Sequence, residues 1–479
     1  MNRRMVFYTI GRILASEALL LILPLAVSLI YGEDSYKAFA VTIVIAAVLG
    51  LFLALVFKPR DNVIYAKEGF ATVALTWIAL SAVGALPFVL SGEIPSYVNA
   101  FFETVSGFTT TGASIVTDFS KMSRGILFWR SFTHWIGGMG VLVFVMAIVP
   151  NISDRSIHLM RAEMPGPIVG KLVPRVKDTA KILYLIYIAL TAIEVVFLLF
   201  GGMSLYESLV YTFGTAGTGG FGIVSESVGA YSPYIQWVIA AFMLLFGVNF
   251  NLYYLLLIRH FKNVLKSAEL WVYLGIVAVS VITITANISR TLGLEDSFRH
   301  AFFQVSSIMT TTGYATVNFD MWPELSKGIL LILMFIGGCA GSTAGGLKVS
   351  RVIIMFKMVR KELTHMLHPR SVSAIKFEGK PVSEQTQRNI LLYFVLYIAC
   401  LLAVFLLISV DPFDITTNFS AAVACFNNVG PGFGHVGPAA SYADYSSFSK
   451  LVLSFAMLLG RLEIFPLILA CSPATWVRK

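Results

Sequence analysis

The chain has 479 residues, of which 57% are apolar and only 13% are charged, and its mean hydropathy is +0.80. This composition excludes a water-soluble globular protein and places the chain in membrane lipid. The net charge of +9 follows from the topology described below and does not indicate nucleic-acid binding.

Apolar stretches of about 20 residues, the length needed to cross the hydrocarbon of a bilayer, recur along the whole chain. They predict ten transmembrane helices, so both chain ends lie on one side. We place them near residues 6–31, 38–57, 69–90, 125–149, 180–200, 235–258, 270–288, 329–358, 389–410 and 451–470. The first apolar run is too long for a signal peptide, and a second span follows it closely, so we interpret it as a true span.

The positions of the cations predict which side faces the cytoplasm. Most of the 35 Lys and Arg residues fall on the side of the termini, and short loops rich in these residues stay inside. Both termini are therefore expected in the cytoplasm, with the chain in a bacterial-type inner membrane. The opposite side is rich in acidic residues, including Glu33, Glu103 and Asp118. An acidic outer mouth raises the local concentration of cations.

An internal repeat is the strongest signal in the sequence. Residues 100–112, AFFETVSGFTTTG, match residues 301–313, AFFQVSSIMTTTG, at Ala-Phe-Phe, at one Ser and at the final Thr-Thr-Thr-Gly. Each copy lies between two spans, is too short and polar to cross a membrane, and ends in a Thr/Gly cluster. Segments 206–222 and 419–434 occupy the same place between other pairs of spans. The unit of span, short helix, glycine-bearing loop and span therefore occurs four times.

Two additional spans precede these repeats. The predicted division is residues 1–68 for the additional spans, 69–179 for repeat 1 with a cytoplasmic loop, 180–267 for repeat 2, 268–388 for repeat 3, and 389–479 for repeat 4.

The glycine-bearing loops suit the binding of a dehydrated cation. Rings of backbone carbonyls replace the water around such an ion, and glycine permits the positive φ that turns carbonyls towards one axis. We expect that role for Gly112, Gly219, Gly313 and Gly430. The candidate filter residues are Thr110, Thr111, Gly112, Gly217, Thr218, Gly219, Thr311, Thr312, Gly313, Asn428, Val429 and Gly430. One Thr-Thr-Gly alone would be a helix cap or a packing site, but four copies in register favour a filter.

The eighth span contains a run of small residues that predicts a break in the helix. Each glycine in a helix interior costs roughly 1 kcal/mol relative to alanine, so a mobile loop in mid-membrane is expected at residues 337–347. The alternative is a packing patch of small residues between helices. The candidate gate residues are Gly337, Gly338, Gly341, Ser342, Thr343, Gly345, Gly346 and Arg461.

Arg461 lies within the last predicted span, where a cation costs at least about 2.5 kcal/mol unless it is paired or hydrated. Three roles suit it: a pair with Glu463, a bond to an uncovered carbonyl of the loop at 337–347, or an electrostatic barrier to cations. A purely structural salt bridge is the alternative.

Four further motifs accompany these loops: GGMG at 137–140, RAEMPGP at 161–167, GGCAGSTAGGLK at 337–348 and GRLEIFP at 460–466. With them the chain resembles the Trk/Ktr/HKT superfamily of K⁺ transporters, most closely the bacterial Trk-H/G-type membrane subunit. The resemblance implies an all-α polytopic membrane protein with four non-identical repeats in pseudo-fourfold arrangement around one K⁺ pathway, which an intramembrane loop blocks below the filter.

The same resemblance implies further properties. Relatives with serine at the first filter glycine favour Na⁺, so Gly112 favours K⁺, with Na⁺ and Rb⁺ as further candidate ions. It also implies a homodimer, a cytosolic nucleotide-binding subunit of the RCK type (TrkA-like), and no organic cofactor.

Two other classes of membrane protein would show different features in the sequence. An ion-coupled symporter would need buried carboxylates or aromatic residues around a pocket, and Glu17 and Glu194 are the only acids in ordinary spans. A membrane-embedded enzyme would need a nucleophile with a base, or a metal cluster, and the sequence suggests neither. Passive transport and coupling to H⁺ or Na⁺ are both compatible with the sequence.

Overall fold

The computed structural model describes residues 2–59, 66–140, 176–371 and 373–476. Up to residue 140 the α-helices are Arg3–Leu20, Ile22–Ile30, Ser35–Val56, Ala66–Gly84, Leu86–Leu90, Tyr97–Phe108 and Arg124–Gly138. Between residues 176 and 309 they are Val176–Phe200, Leu205–Gly217, Pro233–Phe246, Phe250–Leu257, Phe261–Leu265, Ala268–Leu292 and Leu294–Met309. The remaining helices are Glu324–Phe335, Val349–Leu367, Glu384–Ile408, Ile415–Phe426, Ser447–Arg461, Phe465–Cys471 and Pro473–Trp476. Strands Lys376–Phe377 and Lys380–Pro381 form a small antiparallel hairpin.

Six helical segments within these ranges are long and apolar enough to cross a membrane. They are Arg3–Ile30, Ser35–Val56, Glu68–Leu90, Ala180–Phe200, Ala268–Leu292 and Glu384–Ile408. They coincide with the first, second, third, fifth, seventh and ninth predicted spans. Their exposed faces are apolar, as at Val44, Leu51 and Ile282, and such faces suit contact with lipid.

The second span of a repeat is interrupted more often than the sequence predicts. A break is expected only in the eighth span, which divides into Glu324–Phe335 and Val349–Leu367. The sixth is also broken, with a 90° bend between Pro233–Phe246 and Phe250–Leu257, and the tenth divides at Arg461. In the sixth span, the side chain of Asn249 caps the new helix that follows the bend.

In the tenth span, Glu463 and Ile464 both have positive φ, and Pro466 lies in the first turn of the next helix. These local conformations end one helix and start another, which hydropathy alone does not reveal. The fourth predicted span, at 125–149, extends beyond residue 140, where the described range ends. The RAEMPGP motif, at 161–167, lies outside the described residues.

One short helix follows the first span of each repeat, and the packing of the four short helices forms a closed cycle. We name them short helix 1 (Tyr97–Phe108), 2 (Leu205–Gly217), 3 (Leu294–Met309) and 4 (Ile415–Phe426). Each packs against the helix that starts the second span of the preceding repeat: in order, Ser447–Arg461, Arg124–Gly138, Pro233–Phe246 and Glu324–Phe335. Because the last repeat thereby contacts the first, the four repeats surround a common centre.

All four short helices are buried along most of their length, and short helices 2 and 4 begin at polar side-chain caps. Ser204 and Glu207 form a reciprocal capping box at the start of short helix 2. Asp414 accepts a hydrogen bond from the backbone N–H of Thr417 at the start of short helix 4. These caps stabilise helices too short to be stable alone, and packing against neighbouring repeats supplies the rest.

The two N-terminal spans pack beside repeat 1. The helix Arg3–Leu20 contacts both Ser35–Val56 and Ala66–Gly84. The first two of these helices approach closely at Gly11 and Gly50, since a Cβ added at Gly11 would lie 2.7 Å from the Gly50 carbonyl oxygen. Small residues at such crossings allow close helix packing in membranes.

Candidate functional site

The four short helices end in turns of one shared conformation. In each turn a non-glycine residue has φ between 55° and 57°, and a glycine two positions later also has a positive φ. The non-glycine residues are Thr110, Thr218, Thr311 and Asn428, and the glycines are Gly112, Gly220, Gly313 and Gly430. We call residues 110–112, 218–220, 311–313 and 428–430 turns 1 to 4. Positive φ is uncommon for threonine, and its recurrence here indicates that the surrounding structure imposes it.

The second turn lies one residue later than predicted. The glycine with positive φ is Gly220 (77°), whereas the sequence analysis assigned that conformation to Gly219. Gly217 is the last residue of short helix 2 and precedes the turn. Gly219 is required for a different reason, because a Cβ at this position would overlap the imidazole ring of His134. Two adjacent glycines left the register of this turn ambiguous in the sequence.

The turns contact one another in a ring. A Cβ added at Gly112 would overlap the carbonyl oxygen of Gly219, one at Gly220 would overlap that of Thr312, and one at Gly313 would overlap that of Val429. A Cβ at Gly430 would lie 2.5 Å from the carbonyl oxygen of Thr111. The glycine of each turn therefore faces the carbonyl just before the glycine of the next turn, in the order 1, 2, 3, 4 and back to 1.

Buried polar side chains reinforce this ring. The hydroxyls of Thr109 and Thr111 lie 2.7 Å apart, and those of Thr310 and Thr312 lie 2.8 Å apart. The amide nitrogen of Asn428 donates to the hydroxyl of Thr111 at 2.9 Å, and so joins turns 4 and 1. In the fourth turn only backbone oxygens were expected to act, so this side-chain contact was not predicted.

One cavity of about 340 Å³ touches the glycines of all four turns. Its lining includes residues that follow these glycines, among them Asp444 of repeat 4. Asp444 is consistent with the predicted acidic outer mouth. Glu103, which was assigned to the same outer face, is instead buried and forms an ion pair with buried Arg130. One of the carboxylates predicted for the outer side is therefore neutralised inside the protein.

The loop at residues 336–348, named here the bridging loop, contacts the other side of the turns. The backbone N–H of Gly345 donates to the Thr311 hydroxyl at 2.6 Å. A Cβ at Gly345 would lie 2.6 Å from the Asn427 carbonyl oxygen. The loop thus contacts residues that precede the turn glycines, whereas the cavity is lined by the glycines and residues that follow them.

Broken helix ends of repeat 2 hold the bridging loop. The N–H of Cys339 donates to the carbonyl of Gly247 at 2.9 Å, and the Thr343 hydroxyl donates to that of Phe246 at 3.2 Å. Gly338 approaches the same break, because a Cβ there would lie 2.9 Å from the Gly247 oxygen. The interruption of the sixth span therefore supplies carbonyls for the loop.

Four other predicted gate residues shape the loop. The N–H of Gly337 donates to the carbonyl of Leu347 at 2.8 Å, which brings the two ends of the loop together. Gly341 and Gly346 have φ of +72° and +66°, where only glycine is unstrained. The Ser342 hydroxyl donates to a carbonyl three residues earlier at 2.6 Å. The small residues therefore allow a compact, internally bonded loop.

Arg461 joins the bridging loop to repeat 1. Its guanidinium donates to the Thr343 carbonyl at 2.9 Å and to the carbonyls of Gly137 and Gly138 at 2.5 and 2.8 Å. The bond to Thr343 is the contact predicted between Arg461 and a carbonyl of the loop. Glu463, the other predicted partner, forms an ion pair with Arg351 at 2.5 Å.

Two charged residues that bond to the loop, Glu269 outside it and Lys348 at its end, were not identified as candidates from the sequence. Glu269 accepts hydrogen bonds from the backbone N–H groups of Ala340 and Ser350 at 2.8 and 3.0 Å. Lys348 donates to the carbonyl of Ala344 and lies 3.4 Å from that of Gly345. Lys348 ends a quoted motif, and Glu269 lies just before a predicted span, so neither position suggested contact with the loop.

Comparison with known proteins identifies similar chains along the whole length. The family described as "TrkH: Cation transport protein" matches residues 35–292 and 267–476. A "Trk system potassium uptake protein TrkH" of Salmonella typhimurium is 37% identical over 465 residues, which is 95% of each chain. A "Trk system potassium uptake protein TrkG" of Escherichia coli is 34% identical over 99% of this chain and 98% of its own.

The crystal structure of the potassium transporter TrkH from Vibrio parahaemolyticus superposes on this chain with a TM-score of 0.89 at 31% sequence identity, over the full length of both chains. This match confirms the predicted fold class of an all-α polytopic membrane protein.

Proposed function

Because the chain belongs to the TrkH family of cation transport proteins, we propose that it mediates K⁺ uptake across an inner membrane through one central pore. The observation that carries this proposal is the closed ring of four turns, in which each glycine faces the carbonyl before the next. The named relatives are potassium uptake proteins. Transport across the membrane, rather than catalysis, is the activity that this arrangement supports.

The proposed filter consists of the four turns together. Its residues are Thr110, Thr111, Gly112, Thr218, Gly219, Gly220, Thr311, Thr312, Gly313, Asn428, Val429 and Gly430. Carbonyl oxygens of this ring would replace the water that K⁺ loses. The carboxyl ends of four short helices converge on the ring, and their partial negative charge favours a cation there.

The bridging loop is the proposed gate. Gly345 contacts turns 3 and 4 on the side opposite the outer cavity, so an ion leaving the ring in that direction meets the loop. Arg461 holds the loop against repeat 1 and adds a positive charge beneath the ring. Opening would require the loop to leave these contacts, which makes flux sensitive to Arg461.

The remaining parts of the proposal concern the cytoplasmic side. We place both termini and the basic helix Val349–Leu367, which is exposed mainly in its second half, in the cytoplasm, since cation-rich short loops remain inside. The family resemblance supports a homodimer and a cytosolic nucleotide-binding subunit of the RCK type as partners.

Ion flux in liposomes tests the proposal. Purified protein is reconstituted, and uptake of K⁺ or Rb⁺ is measured with Na⁺ as competitor, for wild type, Gly112→Ser and Gly313→Ser. We expect selective uptake by wild type and reduced K⁺ preference in both variants. Wild-type flux and ion preference in both would contradict the filter assignment.

A further inference from the structure

The ion pair between Glu103 and Arg130 is the most deeply buried one in the described ranges. The Nε of Arg130 lies 2.5 Å from Oε1 of Glu103, and their side chains are 2% and 0% exposed. Glu103 belongs to short helix 1, nine residues before Gly112, and Arg130 belongs to the helix Arg124–Gly138. Burial of two charges is costly unless further hydrogen bonds satisfy both, so their other contacts indicate what the pair does.

Glu103 binds the segment that leaves turn 1. Its Oε1 also accepts from the Ser114 hydroxyl at 2.9 Å, and its Oε2 accepts from the backbone N–H of Ile115 at 2.9 Å. These residues follow Gly112 by two and three positions. The carboxylate thus fixes the backbone just beyond the first turn of the ring.

Arg130 binds the segment that leaves turn 2. Its Nη1 donates to the carbonyl of Gly222 at 2.9 Å, two residues after Gly220. Its guanidinium also lies over the ring of Phe221, 3.5 Å from the centroid. One ion pair therefore connects the segments that follow two neighbouring turns.

The other repeats have uncharged residues at the position of Glu103. Counted nine residues before the turn glycine, they are Tyr211, Gln304 and Ala421. Turns 2 and 3 are joined by a neutral contact, in which the Tyr314 hydroxyl donates to the Phe221 carbonyl at 3.2 Å. Within the described ranges, a buried ion pair joins two such segments at the boundary between repeats 1 and 2. At the boundary between repeats 3 and 4, a single carboxylate contributes, as Asp320 accepts from the backbone N–H of Gly434 at 3.2 Å.

We propose that Glu103 and Arg130 are positioning residues that set the spacing of turns 1 and 2 and thereby determine ion preference. This inference rests on the proposed function. The ring contact at this boundary is between Gly112 and the Gly219 carbonyl, and the pair holds the backbone just beyond both. Its charges offset each other at 2.5 Å, so it acts on the ions through backbone position and not through net charge.

A set of four variants tests the proposal by the ratio of K⁺ to Na⁺ uptake in liposomes. The variants are Glu103→Gln, Arg130→Gln, the double variant, and Asp34→Asn as control. Glu103→Gln introduces the amide that Gln304 supplies at the same position in repeat 3. The control breaks an exposed ion pair with Lys37 at the start of the second additional span. We expect the ratio to fall at least about tenfold in both single variants and the double variant, and to stay at the wild-type value in the control.

An effect of charge alone would give a different pattern. Loss of Glu103 leaves a positive charge beside the cavity and loss of Arg130 leaves a negative one, so apparent K⁺ affinity would change in opposite directions and the double variant would recover. That pattern would overturn the proposal, and so would wild-type ratios in all three variants. If Arg130→Gln is not recovered as folded protein by size exclusion, Glu103→Gln and the double variant decide. Absence of K⁺ preference in wild type would instead contradict the proposed function.

Discussion

Alanine substitution at Gly112 separates the contribution of the ring contact from that of backbone conformation. Gly112 has φ +82°, where a side chain costs about 1–2 kcal/mol. The new Cβ would also overlap the Gly219 carbonyl oxygen, and overpacking of this kind typically costs about 1–3 kcal/mol more. Since that oxygen is a proposed ion ligand, we expect Gly112→Ala to lower K⁺ uptake and K⁺ over Na⁺ preference in liposomes.

Gly92 provides a matched control. Its φ is +79°, but no atom lies within 4 Å of a Cβ built there. Gly92→Ala should therefore show the conformational cost alone, as a modest decrease in the thermal unfolding temperature, with wild-type uptake and ion preference. If the two variants transport K⁺ and discriminate against Na⁺ equally well, the contact between turns 1 and 2 does not shape the ion pathway.

Three further predictions concern the gate and the outer helix ends. Replacing Arg461 by Gln removes charged hydrogen bonds worth about 1.5–3 kcal/mol each, so the bridging loop should be released and K⁺ flux should rise. Unchanged flux in a well-expressed variant would refute the role of Arg461 in holding the gate closed. Glu269→Ala leaves two backbone N–H groups near the loop without their acceptor, at a cost of about 1–3 kcal/mol. If Glu269→Ala has the thermal unfolding temperature of wild type, Glu269 does not stabilise the loop. Glu33 caps the helix Arg124–Gly138 through two backbone N–H groups, so Glu33→Ala should lower stability by about 0.5–2 kcal/mol, whereas Asp34→Asn should not. Equal unfolding temperatures for these two variants would exclude the capping role.

Hydropathy and self-similarity predicted the features that depend on local sequence. The six long helices coincide with predicted spans, and all four short helices end where a Thr/Gly or Asn/Gly cluster was recognised. The break in the eighth span was also expected from its glycines. The breaks at Gly247 and near Glu463 were missed because their causes are a cap and unusual φ values in otherwise apolar runs.

The register of turn 2 and the partners of charged residues could not be obtained in this way. Gly219 and Gly220 are equivalent by composition, and only packing against His134 and Thr312 distinguishes them. Glu103 was assigned to the outer surface with the other acidic residues, and Arg130 lies within the fourth predicted span, so the sequence did not bring the two together. Their pairing depends on the helix Arg124–Gly138 lying beside short helix 1.

The sequence by itself determined that this chain is a membrane protein with four related units, because apolar length and repetition are properties of the chain alone. Only the tertiary structure decided how those units meet. Residues far apart in sequence form the ring of glycines and carbonyls, the contacts of the bridging loop and the hydrogen bonds of Arg461. Such contacts arise from the cyclic packing of helices from different repeats.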